Sequence, residues 1–323
     1  MNQFVGYEAG LPHSANVLYF LKSFLSLPMQ SYYIWPFLAA VIYALAAILT
    51  KRALAEGCGV MRFTLLCNAT FFVSFLIPAA VVWQPIHWGQ IGWPALGGLL
   101  FFLGQILTVA AIRVGDVSIQ SPLMGSKVIF VALISLGTGA ESVVPGVWLG
   151  AALTAVAVFL LGYSSWDSSR RTWIGVGLAL ASSLAFAASD VLTIAKASGS
   201  GVENYLAIVM GVQLLLSLVL IPLFREGVRD VPRNAWAWLA AASGLMALQA
   251  VILNVALGHF KHATSFNVIY GSRGLWSILL IWGFGHLVAN RELQGDHHVF
   301  IRRVTGATLL LVAVFMILTG SAS

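Results

Sequence analysis

The chain has 323 residues, of which 59% belong to the set AVILMFWYC and only 9% are charged, 17 Lys+Arg against 11 Asp+Glu. A typical soluble domain carries roughly 25% charged residues, so this composition excludes a water-soluble enzyme or nucleic-acid binder and makes the bilayer the solvent. The net charge of +6 is then read as cytoplasmic loop bias rather than as a nucleic-acid footprint.

Residues 1–33 form a tail. Between Val17 and Leu25 the apolar positions 17, 20, 21, 24 and 25 share one helical face with Lys22 opposite, and the run stops before Pro28. It is too short to span and reads as an interfacial amphipathic helix or as an ordinary tail. No basic segment leads into an apolar core with a small-residue cleavage site, so no cleaved signal peptide is expected.

Apolar runs bounded by Gly, Pro or charge then predict spans at Ile34–Thr50, Met61–Trp83, Ile91–Ala111, Val117–Leu136 and Val144–Tyr163. After a polar linker at 164–172 a second set follows at Trp173–Ala195, Tyr205–Phe224, Trp236–Leu257, Ala263–Gly285 and Val304–Gly320. A helix needs about 20 apolar residues to cross. Runs of that length without strict alternation select helices over a barrel. Cys58 and Cys67 should lie at different depths and are not expected to pair. No His/Cys/Asp/Glu set has metal-ligand spacing and no nucleotide-binding glycine loop is present, so neither cofactor, metal nor catalytic apparatus is expected.

The chain aligns with itself. At an offset of 146, Ile106–Ala110 meets Ile252–Ala256, Gly98 meets Gly244, and Gly125-Ser126-Lys127 meets Gly271-Ser272-Arg273. Gly150–Phe159 and Gly306–Phe315 agree at seven of ten positions, and Tyr43-Ala44 meets Phe186-Ala187 at an offset of 143. The reading is an all-α membrane protein whose ten helices are two five-helix repeats, 34–163 and 173–320. An odd number of spans per copy inverts the second copy, which puts a ligand site near the midplane between them.

Ten spans in a five-plus-five repeat, small-residue first and sixth helices, and the runs Gly150–Gly162 and Gly306–Gly320 resemble the drug/metabolite transporter superfamily, in its EamA-like ten-helix branch. The resemblance covers residues 34–320. It implies a transporter of a bacterial inner membrane with both termini inside, in a superfamily that exports amino acids, drugs and metabolites and includes sugar-phosphate and nucleotide-sugar translocators. The charges point the other way: twelve Lys and Arg lie on odd loops and span edges against Lys22, Lys196 and Lys261 on the even side. The positive-inside rule therefore puts both termini outside.

Only Lys127, Asp190 and Arg273 are charged residues within span interiors. A mid-span charge costs a few kcal/mol, so such residues usually face a cavity and mark a pathway. Lys127 and Arg273 are repeat mates on the fourth and ninth spans, expected on opposite walls of one cavity with an anion between them. Arg offers a planar fork to a phosphate or carboxylate and Lys a point charge. Basic residues on these two helices bind phosphate groups in the translocators, a likeness that here supports an anionic group more than a nucleotide. Asp190 is a counter-ion, a proton carrier, or a residue that snorkels near Lys196. By helical angle Gln120 joins the face of Lys127, and Tyr270 and Ser277 that of Arg273; Gln105 and Tyr43 are further cavity candidates.

The expected partner is a small or lipid-linked anion, moved by a secondary transporter or flippase. The rivals are an exporter of amino acids or amphipathic drugs with its cations locked in internal pairs, and a non-transporting scaffold or sensor. Gly146 and Gly150 form a small-residue face suited to packing within the fold or to a homodimer.

Overall fold

The computed structural model describes residues 31–82, 84–114, 123–141, 145–163, 170–223 and 231–284, with residues 305, 306, 308, 309, 312, 313 and 316. Of the chain's two units, residues 1–31 and 32–323, the second carries all the α-helices among the described residues. These are α1 (Ile34–Ala55), α2 (Val60–Val81), α3 (Gly92–Val114), α4 (Lys127–Thr138), α5 (Pro145–Tyr163), α6 (Arg170–Lys196), α7 (Val202–Val219), α8 (Arg233–Phe260), α9 (Ala263–Gly271) and α10 (Arg273–Phe284). No strand occurs among the described residues.

Six helices, α1, α2, α3, α6, α7 and α8, are long and apolar enough to cross a bilayer. By length and composition the chain is an integral membrane protein. Val73, Ile77, Leu136, Leu215 and Val219 face outward, a placement that suits lipid and would be costly in water. The predicted amphipathic stretch Val17–Leu25, Gln120, and most of the predicted tenth span lie outside the described residues.

The fourth and ninth predicted runs differ from uninterrupted helices. A 3₁₀ turn at Met124–Ser126 precedes α4, so Lys127 opens a regular helix instead of lying at its middle. In the ninth run the Ser272 N–H donates to the Ile269 carbonyl three residues back at 3.0 Å, and α10 opens at Arg273. Both tightened turns fall on a Gly-Ser-cation triplet. Gly is a poor helix former and Ser competes for backbone groups, so each triplet favours the 3₁₀ geometry that marks hinges within helices.

Packing is paired. α1 lies along α8 and α3 along α6 more extensively than any other two helices, while α2 packs on α7, α4 on α6, and α9 and α10 on α1. α3 and α7 approach so closely at Gly98 that a Cβ there would meet the Val209 carbonyl oxygen at 2.6 Å and Val212 Cβ at 2.7 Å. α2 and α7 start at Gly59 and Gly201, both with φ +77°, a left-handed conformation that side chains other than glycine's resist. Inside the α2–α7 contact Asn68 Nδ2 donates to Ser217 Oγ at 2.7 Å and Asn68 Oδ1 accepts from Gln213 Nε2 at 2.7 Å. Such bonds satisfy polar groups that lipid could not.

Two ends of the bundle are tied by side chains. Arg62, buried at the start of α2, turns its guanidinium back onto the carbonyls of Cys58 at 2.6 Å and Gly57 at 2.8 Å. At the other end Glu141, on the α4–α5 connection, accepts from the Thr264 backbone N–H at 3.0 Å and hydroxyl at 2.9 Å, capping the first turn of α9. Burial holds the Glu141 carboxyl above the ordinary range, against the opposing pull of the Thr264 hydrogen bonds and nearby His262. Cys58 and Cys67 are buried free thiols.

Candidate functional site

A cavity opens among α1, α2, α3, α6, α8 and the segments on either side of the two Gly-Ser-cation turns. The space between its wall atoms totals about 510 Å³, but only about 40 Å³ is reachable by the centre of a water molecule. That is room for about three waters, so the cavity is narrow. Its walls are aromatic or thioether on one part (Phe71, Phe101, Phe186, Met124, Met246) and carry amides and hydroxyls on another (Gln105, Gln249, Asn254, Thr108, Ser183). The charged groups on its lining are Lys127, Asp190 and Arg273.

The first two form an ion pair. Lys127 Nζ lies 2.6 Å from Asp190 Oδ2, with both side chains almost entirely buried. The same oxygen accepts from Asn267 Nδ2 at 2.8 Å. Asp190 is thus 2% exposed and turned inward, which corrects the expectation that it might snorkel toward Lys196; the Lys196 ammonium instead sits 4.5 Å above the Trp93 ring. Lys127 and Arg273 do not face each other across an open gap as two unpaired cations. One is internally compensated.

Arg273 has a different environment. Among the described residues no carboxylate lies within 4 Å of its guanidinium. It donates through Nη2 to the Met124 carbonyl at 2.5 Å and lies 4.4 Å from the Tyr270 ring centroid and 4.8 Å from that of Tyr43. Cation–π contact with two rings stabilises a buried cation but neutralises no charge. Nε is buried with no hydrogen-bond partner among the described residues, although Arg273 is only 5% exposed. A buried donor left unsatisfied costs about 1–3 kcal/mol, and more on a charged group.

The rings are themselves held. Tyr43 Oη donates to Met124 Sδ at 3.2 Å, and Tyr270 Oη donates to Gln249 Oε1 at 2.9 Å. Gln249 Nε2 is spent on the Met246 carbonyl at 3.1 Å. Lys127 Nζ stands 5.7 Å from the Phe186 ring and 6.0 Å from that of Tyr270, so Tyr270 borders both cations.

Of the residues singled out from sequence, Lys127, Arg273, Tyr270, Tyr43, Gln105 and Asp190 all line the cavity. Gln105 also donates to Cys67 Sγ at 3.4 Å. Ser277 is not on its lining: its hydroxyl donates to the Arg273 carbonyl at 2.9 Å, one turn back in α10. Gln120 falls outside the described residues. Sequence reasoning missed Phe186, Gln249 and Asn267. The first was within reach, because Phe186 aligns with Tyr43 in the self-alignment and stands to Lys127 as Tyr43 stands to Arg273. Gln249 and Asn267 had no sequence signal beyond polarity in an apolar run.

No family model and no curated protein matches the sequence. Twenty-three chains of solved structures match the fold. One of them, described as "Crystal structure of protein", superposes with a TM-score of 0.64 at 15% identity, covering 89% of this chain and 96% of that chain. At this identity the likeness extends to the fold alone.

Proposed function

We propose that the chain is a secondary transporter of the drug/metabolite type that takes the anionic group of a small or lipid-linked molecule at Arg273, in a central cavity between two inverted five-helix repeats. The observation that carries this reading is Arg273, which lines the cavity: its guanidinium is buried, has no carboxylate partner among the described residues, and keeps an unsatisfied Nε. A charge held at that expense in a membrane interior usually marks a pathway.

The repeat is supported by equivalences that the self-alignment did not use. α1 with α8 and α3 with α6 are mates under an exchange of halves, and they are the two most extensive helix pairs. Gly59 and Gly201 cap mate helices with the same φ of +77°. Each cation opens a helix behind a tightened turn and stands over an aromatic ring, Phe186 for Lys127 and Tyr43 for Arg273. On this reading the predicted tenth span completes the second copy, and rocking of the halves enlarges the narrow cavity to admit substrate. The charge bias puts the Glu56–Gly59 end in the cytoplasm.

A second reading, export of amino acids or amphipathic molecules, is favoured by the Lys127–Asp190 pair and by the aromatic and thioether walls. Counterflow into proteoliposomes tests both. With carboxylate and phosphate compounds as internal substrate, the first reading expects uptake of the labelled anion in wild type and its loss in Arg273→Gln. Uptake of zwitterions that survives Arg273→Gln would favour the second. Uptake of neither by folded protein would leave a scaffold or sensor as the better description.

A further inference from the structure

The three charges on the cavity wall do not contribute equally. Lys127 and Asp190 lie 2.6 Å apart, and their sum is zero whether the shared proton is on nitrogen or oxygen. Asn267 donates to the same carboxylate oxygen, and its hydrogen bond adds no charge. Arg273 carries a guanidinium cation and has no acidic partner among the described residues. The self-alignment gives the reason. At the offset of 143 that pairs Tyr43 with Phe186, the mate of Asp190 is Ala47, a fully buried methyl on α1. The second copy supplies the first copy's cation, Lys127, with an acid, and the first copy has only Ala47 at the position that would serve Arg273.

The geometry points to a substrate whose buried group carries a single negative charge, a carboxylate or a phosphodiester and not a dianionic phosphate monoester, with Asp190 as the residue that sets this valence. This rests on the reading of Arg273 as the substrate's anchor and adds to it the charge that the cavity accepts. A monoanion brings the buried site to neutrality. A dianion leaves one uncompensated negative charge in a buried site whose other lining groups are neutral, chiefly aromatic, thioether, amide or hydroxyl, and an unpaired charge in such surroundings is disfavoured far more than in water. Among the described residues the lining offers no second compensating cation, because Lys127 is already committed to Asp190. The nearby amides are neutral and add no charge: Gln249 accepts from Tyr270 and donates one N–H to the Met246 carbonyl, and Gln105 donates one N–H to Cys67.

The test is equilibrium binding of a matched pair to purified protein in nanodiscs: phenyl phosphate, a monoester that is dianionic above its second pKa of about 6, and methyl phenyl phosphate, a diester that stays monoanionic. At pH 8 the diester should bind at least about tenfold more tightly, ~1.4 kcal/mol. From pH 8 to pH 5 the monoester should gain affinity toward the diester, whose own affinity stays level. Asp190→Asn raises the net charge of the lining by one and should reverse the preference at pH 8. The pair Lys127→Met with Asp190→Asn restores the original balance and should restore preference for the diester. If Asp190→Asn does not fold, the pH series on wild type decides alone. Tighter binding of the monoester to wild type at pH 8, a monoester affinity that rises with pH, or a preference untouched in folded Asp190→Asn would overturn the valence rule while leaving Arg273 as anchor. Equal binding of both compounds by wild type and Arg273→Gln, or binding of neither by wild type, would remove the anchor itself.

Discussion

Breaking the Lys127–Asp190 pair by one partner should be far more damaging than removing both. At a separation of 2.6 Å and an effective dielectric constant of about 20, Coulomb's law gives roughly 6 kcal/mol of attraction. Desolvation of two nearly buried groups offsets much of this, and deletion of a single partner from such a pair typically costs about 3–5 kcal/mol because the survivor stays buried and unpaired. Lys127→Met leaves the Asp190 carboxylate with only the Asn267 amide as partner, and Asp190→Asn leaves an ammonium beside the rings of Phe186 and Tyr270. The double variant replaces the pair by neutral groups of similar volume and should return to within about 1–2 kcal/mol of wild type. Equilibrium unfolding in mixed micelles, followed by tryptophan fluorescence, gives the four stabilities of the cycle, and the coupling should be at least about 3 kcal/mol. Single variants that each cost less than about 1 kcal/mol and sum to the double would refute the claim that these groups form one buried neutral unit.

The aligned glycines of the third and eighth helices should respond with opposite signs. Gly98→Ala forces a methyl against the Val209 carbonyl and Val212 and should destabilise by about 1–3 kcal/mol. Gly244→Ala meets nothing within 4 Å and should stabilise by about 0.5–1 kcal/mol through helix propensity; thermal unfolding of the two variants checks both. Glu141 should show a signature in pH. Its folded-state pKa lies above the ordinary value of 4.5, so its contribution to stability is present below about pH 4.5 and is lost as pH rises through the raised pKa. Glu141→Gln, whose amide oxygen can still accept from Thr264, should flatten that part of the melting-temperature profile and raise stability at pH 8 relative to wild type. An unchanged profile would mean that the carboxyl is not held off its usual pKa by burial.

Much of this architecture was legible from composition and spacing. Six apolar runs became helices long enough to span, and the Gly-Ser-cation triplets, read as repeat mates, turned out to open α4 and α10 in the same way. The 3₁₀ turns were less visible, since hydropathy is blind to a change from i−4 to i−3 hydrogen bonding within an apolar run. The larger surprise was Asp190. The helix ends within one residue of the predicted span end, yet of the readings offered for Asp190, counter-ion, proton carrier or snorkelling residue, packing of α6 on α4 excludes the last by bringing the carboxylate to Lys127. Which acid meets which cation depends on helix pairing across 63 positions of sequence, and no local pattern encodes that. The same holds for Gln249, which fixes Tyr270 from a helix read only as apolar. Phe186 is the instructive exception, because the self-alignment that pairs it with Tyr43 locates it.

A structure determined with a bromine-labelled benzoate addresses the role of Arg273 without reference to transport. The expected result is an anomalous bromine peak in the cavity, with the carboxylate within hydrogen-bonding distance of the Arg273 guanidinium and the peak abolished in Arg273→Gln. A benzoate bound elsewhere, or one that occupies the cavity equally well in Arg273→Gln, would contradict the assignment of this guanidinium as the anion's anchor.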